Sequence, residues 1–244
     1  MNPVEQFKQE VETNLKKQGK DEAIKTSSNQ FIQDSINSRY SYNFSWMGRP
    51  IIAYPQDMVA MQEIIWEVKP DLIIEAGIAH GGSIVYYASL LELIGGDGLV
   101  LGIDIDIRKH NRDLIEAHPM MKRIQMIEGS SIAPEIAAQV YEVAKNKKRI
   151  MVCLDSNHTH DHVLDELKLY APLTSVGSYC VVFDTVVEDL PKSQYNDRPW
   201  DVGNNPKTAV FEFLKTNDDF VINKEIDNKL LVSVAPDGYL KRVK

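Results

Sequence analysis

Five short apolar runs, DLIIEAG (71–77), LVLGIDID (99–106), RIQMIEGS (123–130), RIMVCLDS (149–156) and SYCVVFDT (178–185), alternate along the chain with segments of helical periodicity. The intervening segments are GGSIVYYASLLELIGG (81–96), RKHNRDLIEAH (108–118), IAPEIAAQVYEVAKN (132–146) and DHVLDELKLYAP (161–172). Strands that are apolar at nearly every position are buried on both faces. Their alternation with helices predicts a parallel sheet covered on both sides.

Upstream, PQDMVAMQEIIWEV (55–68) reads as a helix entered at Pro55, with Asp57 near its start and Met58, Met61, Ile64, Ile65 and Val68 on one face. Before it lie an aromatic segment from Asn43 to Tyr54, a polar and poorly patterned stretch from Lys20 to Asn43, and a short amphipathic helix marked by Val4, Phe7, Val11 and Leu15. We expect an N-terminal helical and polar arm over residues 1–45 and one domain over 46–244. Downstream, after a helical PKTAVFEFLKTN (206–217), the runs DFVINKEI (219–226) and LLVSVAPDGYL (230–240) predict an antiparallel pair joined by a short turn around Asp227–Lys229. The expectation is an α/β, Rossmann-like fold of the class I methyltransferase type, with a mostly parallel sheet and a C-terminal antiparallel hairpin.

Composition bounds the function classes. The chain has 244 residues, 43% of them hydrophobic and 25% charged, with a net charge of −8, which argues against a bulk electrostatic grip on nucleic acid or anionic lipid. No apolar run is long enough for a membrane span, and the N-terminus lacks a signal core. The two cysteines, Cys153 and Cys180, sit in strands without metal-binding spacing and read as buried reduced thiols. A cytoplasmic protein is expected, one that binds neither membrane nor nucleic acid.

Ligands of such sheets bind at the carboxyl ends of the strands. The first strand ends in Glu75-Ala-Gly77-Ile-Ala-His-Gly81-Gly82-Ser83. Its glycines allow close backbone approach, and the helix N-terminus beyond offers free amides. The spacing is not that of a dinucleotide fingerprint, and Glu75 suits an ammonium better than a pyrophosphate. Asp104, with Asp106 as the alternative, can accept ribose hydroxyls, while Glu128-Gly-Ser130-Ser131 can meet an adenine edge. The fourth and fifth strands end in Asp155 and Asp184, paired carboxylates suited to a hard cation such as Mg²⁺. His158, His160 and His162 follow within a few residues; imidazole titrates near neutral pH, so His158 is the candidate general base, alongside Asp155. Tyr86 and Tyr87 read as core. Arg39, Arg49 and Lys192 read as solvated.

The block WMGRPIIAYPQDMVAMQEIIWEVKPDLIIEAGIAHGGSIVYYASLLEL (46–93) resembles the signature region of the cephalosporin hydroxylase family. LDSNHTHDHVLDELKLYAPLTSVGSY (154–179) and NNPKTAVFEFL (204–214) extend the resemblance to most of the chain beyond the arm. Despite its name, that family resembles S-adenosylmethionine-dependent methyltransferases, including sugar and macrolide O-methyltransferases that bind a divalent metal. The resemblance implies that Glu75, Gly77, Gly81 and Ser83 border the methionine moiety, Asp104 the ribose and Ser130 with Ser131 the adenine. Asp155 and Asp184 would be metal ligands. Relatives often carry two acids before the threonine where this chain has Phe183-Asp184-Thr185, so one carboxylate ligand is expected to be missing unless Phe183 simply packs in the core.

The leading expectation is metal-assisted O-methylation of a small polar substrate such as a sugar. Two alternatives are a hydroxylase using Asp155, His158 and His160 as a facial triad, and a non-catalytic nucleoside-binding partner of another enzyme. The aromatic N-terminal segment suggests a homo-oligomer. The acceptor is expected to be read by VVEDLPKSQYNDRPWDVG (186–203), which carries no legible code.

Overall fold

The computed structural model describes residues 2–192 and 197–244, so residues 193–196 of the loop expected to read the acceptor lie outside the described residues. Two helices open the chain, α1 (Pro3–Gln18) and α2 (Glu22–Asn37). Asp21 caps α2 by accepting from the Ala23 and Ile24 amides, so most of the polar 20–43 stretch is helical. That helix meets the body through Ile32, which packs with Val186 and Leu190, and through the Ser35 hydroxyl, 2.6 Å from the Tyr54 hydroxyl. A two-stranded ribbon, β1 (Phe44–Trp46) and β2 (Arg49–Ile51), then leads into α3 (Pro55–Val68).

The main sheet begins with β3 (Leu72–Ala76) and continues with β4 (Leu99–Asp104), β5 (Ile124–Glu128), β6 (Ile150–Leu154) and β7 (Tyr179–Val182), all mutually parallel where they pair. The helices between them are α4 (Gly82–Ile94), α5 (Lys109–Glu116), α6 (Pro134–Ala144) and α7 (His160–Tyr170). After α8 (Pro206–Leu214) come β8 (Phe220–Ile222), α9 (Lys224–Leu230) and β9 (Tyr239–Arg242). The strand order is β5-β4-β3-β6-β7-β9-β8, with β9 antiparallel to both β7 and β8.

This is the expected α/β architecture with one difference in the C-terminal pair. The strands do pair antiparallel, but their connection contains helix α9 where a short turn at Asp227–Lys229 was expected, and residues 230–238 are not strand. Asn223 explains the switch: its side chain accepts the Glu225 amide and caps a helix with Glu225 and Asp227 in its first turn.

Alternation along β3 shows how the core divides. Leu72 and Ile74 join α6, α7 and α8 on one face, while Ile73 joins α3 and α4 on the other. All five β3 residues are buried, and full burial of one such aliphatic side chain contributes about 1.5–3 kcal/mol. Cys153 and Cys180 are buried free thiols, and Tyr86 and Tyr87 are core residues, as expected.

Candidate active site

Adjacent β3 and β4, and adjacent β3 and β6, send their crossover helices to opposite faces of the sheet, so the crevice opens above the carboxyl end of β3. Gly77 turns the chain there with φ +101°, and an added Cβ would lie 2.1 Å from the Asp155 carbonyl oxygen. Only glycine lets these two strand ends lie so close. Gly82 has a different reason: its missing Cβ makes room for the Pro50 carbonyl and Ile51 of the β1–β2 ribbon. Part of the glycine-rich signal therefore records packing.

Glu75 is 1% exposed, and its Oε2 accepts from the Ser83 hydroxyl at 2.8 Å. Burial pushes its carboxyl up to about 8, against the Ser83 hydrogen bond. Arg49, expected on a solvated face, is instead buried. Its Nε donates to the His80 carbonyl at 3.0 Å and its Nη2 to Asn111 Oδ1 at 3.0 Å, while Asn111 Nδ2 donates to the Ala79 carbonyl at 3.1 Å. The ribbon thus grips the glycine turn from outside. Turn carbonyls without helical partners accept from a buried donor, which satisfies both sides.

The side expected to meet a nucleoside is more engaged than its sequence suggests. Asp104 Oδ2 accepts from the Ile78 and Ala79 amides at 2.8 and 3.0 Å, and Oδ1 accepts from the Asp106 amide at 3.1 Å. A carboxylate offers about four acceptor directions, so capacity for one more donor is left while the turn holds this shape. Asp106 is exposed and faces Arg108 at 3.7 Å. Ser131 is buried and donates to Glu166 Oε1 at 2.5 Å, an acceptor shared with the Ser156 hydroxyl at 2.6 Å; Ser130 lies beside it in the turn after β5.

The acidic pair converges. Asp155, His158 and Asp184 each place one ligand atom within 4.8 Å of the others, with His158 Nε2 3.1 Å from Asp184 Oδ2. Burial raises the Asp155 carboxyl well above the usual carboxylate range, and Asp184 and Glu75 push it further. Two carboxylates and an imidazole held this close suit a hard divalent cation, whose charge would relieve that repulsion. Phe183 takes the core option: it is 9% exposed and packs on the face of Tyr179 and Val181. Asp184 then enters the left-handed region, φ +54°, and leaves the strand. Cys153 of the neighbouring strand pairs with Val181 on that same face, so Phe183 sets its ring on the side of Asp155 without offering a carboxylate, and His158 is the third member of the cluster.

The remaining histidines go elsewhere. His160 Nδ1 is 2.8 Å from the Thr208 hydroxyl, and His162 Nε2 lies 3.1 Å from Ser131 Oγ and 3.4 Å from Glu166 Oε1. A facial triad of Asp155, His158 and His160 does not form, because His160 starts α7 and turns towards α8. Sequence reasoning also passed over Asp57, Glu166 and Trp200. Asp57 is 2% exposed, raised to about 6 by burial, and accepts from Ser233 Oγ, Tyr239 OH and the Val234 amide at 2.5, 2.8 and 2.9 Å. The only sequence signal for it, an acid in the first turn of a helix, has an ordinary helix-dipole explanation. Trp200 sets its ring edge-on to His158, 4.7 Å between centroids.

The family model described as Rhamnosyl O-methyltransferase/CmcI matches residues 38–243. The chain is 34% identical over 222 residues to a rhamnosyl O-methyltransferase of Mycobacterium bovis, covering 86% of this chain and 85% of that one. It is 38% identical over 167 residues to the Mycobacterium leprae rhamnosyl O-methyltransferase, covering 66% and 70%. Among solved structures, CmcI with Mg and SAM matches with a TM-score of 0.59 at 20% identity over 83% of this chain and 78% of that one, a likeness of fold. From its sheet order to the length of the sequence match, the chain belongs to the Rhamnosyl O-methyltransferase/CmcI family.

Proposed function

We propose that this chain transfers the methyl group of S-adenosylmethionine to a hydroxyl of a sugar or similar small polar natural product, with a divalent cation, Mg²⁺ in the first instance, at Asp155 and Asp184. The observation that carries the reading is the Asp155–His158–Asp184 cluster at the carboxyl ends of two neighbouring strands, in a chain whose matched relatives are rhamnosyl O-methyltransferases. On this reading Glu75, Gly77, Gly81 and Ser83 receive the methionine end of the donor. The buried Glu75 carboxyl ionises readily once an ammonium group lies against it. Asp104 takes a ribose hydroxyl, and Ser130 and Ser131 border the adenine.

A bound cation would supply Lewis acidity to an acceptor hydroxyl. Asp155 and Asp184 hold the acceptor's oxygens in line with the donor, which converts an encounter into a fixed geometry. His158 is the general base. With Asp184 engaging Nε2, the nitrogen left to take the proton is Nδ1.

Residues 1–45 are read as an arm on a catalytic unit of 46–244. The exposed Val4 and Phe7 of α1 support self-association, and the two free buried thiols support a reducing, cytoplasmic setting. Among the described residues no helix is long and apolar enough to cross a membrane.

The test is transfer from methyl-labelled S-adenosylmethionine to methyl α-L-rhamnopyranoside with Mg²⁺ or with EDTA. Label on the glycoside that vanishes with EDTA, and with Asp155→Asn/Asp184→Asn, is the expected result. Transfer indifferent to both overturns the metal-assisted reading. Failure to bind S-adenosylmethionine at all overturns the methyltransferase reading.

A further inference from the structure

Trp200 borders the acidic cluster through His158. Its ring meets His158 edge-on, with centroids 4.7 Å apart and planes at 86°, and His158 in turn touches Asp184. The indole is half-buried, with the Arg198 guanidinium 5.3 Å from its centroid. Of the three tryptophans, only this one borders the acidic cluster. Trp46 is spent on Ser89 and Tyr86, and Trp66 stands exposed on α3.

The backbone beneath Trp200 is pinned on both sides. Asn204 Oδ1 accepts from the His160 amide at 3.0 Å, fastening the loop to the start of α7. Asn204 Nδ2 donates to the Pro199 carbonyl at 2.9 Å, and the Gly203 amide donates to Glu188 Oε2 at 2.8 Å. Asp201 and Asn204 close a bridge between themselves. A loop held this way can present its side chain as a platform, with little backbone ordering left to do when a ligand arrives.

From this juxtaposition we propose that Trp200 is the acceptor's specificity platform: the C–H face of a pyranose ring packs on the indole while two neighbouring ring hydroxyls reach towards Asp155 and Asp184. The inference rests on the sugar O-methylation reading and deepens it. A pyranose has an apolar C–H face and a rim of hydroxyls. An aromatic wall beside an acidic, cation-suited cluster complements both halves. Arg198, half exposed, is placed to donate to hydroxyls at the ring's outer edge. Because the platform would contact the acceptor equally before and during transfer, its removal should raise KM with little change in kcat.

The experiment compares the full-length protein with Trp200→Ala, Trp200→Phe and Trp66→Phe. Three quantities are read: affinity for S-adenosylhomocysteine and for Mg²⁺ by calorimetry, binding of methyl α-L-rhamnopyranoside by saturation-transfer NMR, and KM and kcat for its methylation. Trp200→Ala should weaken glycoside binding and raise KM by about tenfold, with Trp200→Phe between it and the parent. Affinities for Mg²⁺ and S-adenosylhomocysteine should stay within about twofold. Trp66→Phe should match the parent throughout.

Unchanged glycoside binding in Trp200→Ala overturns the platform. So does an equal loss of Mg²⁺ affinity, which would make Trp200 a prop for His158. The NMR measurement needs no turnover, so absence of methyl transfer in the parent counts against the reaction and leaves the platform to be decided by binding.

Discussion

Replacing Phe183 by glutamate should damage this protein rather than repair a metal site. Phe183 is 9% exposed and shares its face of the sheet with Tyr179, Val181 and Tyr239. Removing a buried phenylalanine costs about 3–5 kcal/mol by truncation. Glutamate refills some volume but brings a carboxyl into apolar surroundings, so the net loss at pH 7 should again be about 3–5 kcal/mol. Against a total of roughly 5–15 kcal/mol for a domain, the variant folds but is weak. Phe183→Leu, which keeps the site apolar, should lose only about 1–1.5 kcal/mol. The inserted acid's folded pKa lies above its unfolded value near 4.3, so the penalty is absent below that value and grows as pH rises towards the folded pKa. Urea unfolding at pH 7 and pH 5, followed by tryptophan emission, reads both effects; the deficit should shrink at pH 5. Calorimetric titration with Mg²⁺ should show no gain in affinity. A Phe183→Glu protein as stable as the parent that binds Mg²⁺ more tightly would mean that the inserted carboxylate reaches the cluster instead of staying in the core, and the argument from apolar burial would fail.

Gly77→Ala should cost about 2–4 kcal/mol in urea unfolding and weaken Mg²⁺ binding as well, because its Cβ collides with the Asp155 carbonyl at a φ of +101°; a stable variant with parental Mg²⁺ affinity refutes this. Glu75, raised to about 8 by burial, stays protonated in the folded, ligand-free protein while the unfolded chain ionises from about pH 4.5. The parent should therefore lose stability relative to Glu75→Gln between those values, by up to about 1.4 kcal/mol per pH unit, and a pH-independent difference would contradict it. Since burial and Asp184 raise the Asp155 carboxyl, Mg²⁺ binding should displace whatever proton that carboxyl holds and tighten as pH rises. Calorimetry in buffers of different ionisation enthalpy measures the release, and observed heats that do not change from buffer to buffer would count against it.

The sheet was readable because its strands are buried on both faces, which leaves uninterrupted apolar runs such as 150–154 and 179–182. Asp155 and Asp184 were readable for the related reason that an acid after such a run must lie at the strand's carboxyl end. What the sequence hides is direction. Nothing local shows that Phe183 keeps the strand's alternation while Asp184 swings into the left-handed region, or that of three nearby histidines only His158 turns to the acids. Arg49 looked solvated because isolated basic residues usually are; its partners, the His80 carbonyl and Asn111, lie 31 and 62 positions away. The C-terminal connection was misjudged because a short polar segment between two apolar runs fits a turn as well as a helix, and the deciding cap from Asn223 is a side-chain contact.

The ribbon at Phe44–Ile51 also sets where this protein can be divided. A chimaera-builder looking for an exchangeable module would cut before α3, because the sheet and every acid of the cluster lie beyond it. Such a graft would carry the glycine turn but not the strand that occupies the space over Gly82, nor the guanidinium that ties down the turn's carbonyls. The recipient's own ribbon would need matching groups at those two points. Inheritance of the ligand turn is therefore joint: the turn and the ribbon must be exchanged as a pair, with the junction placed upstream of Phe44.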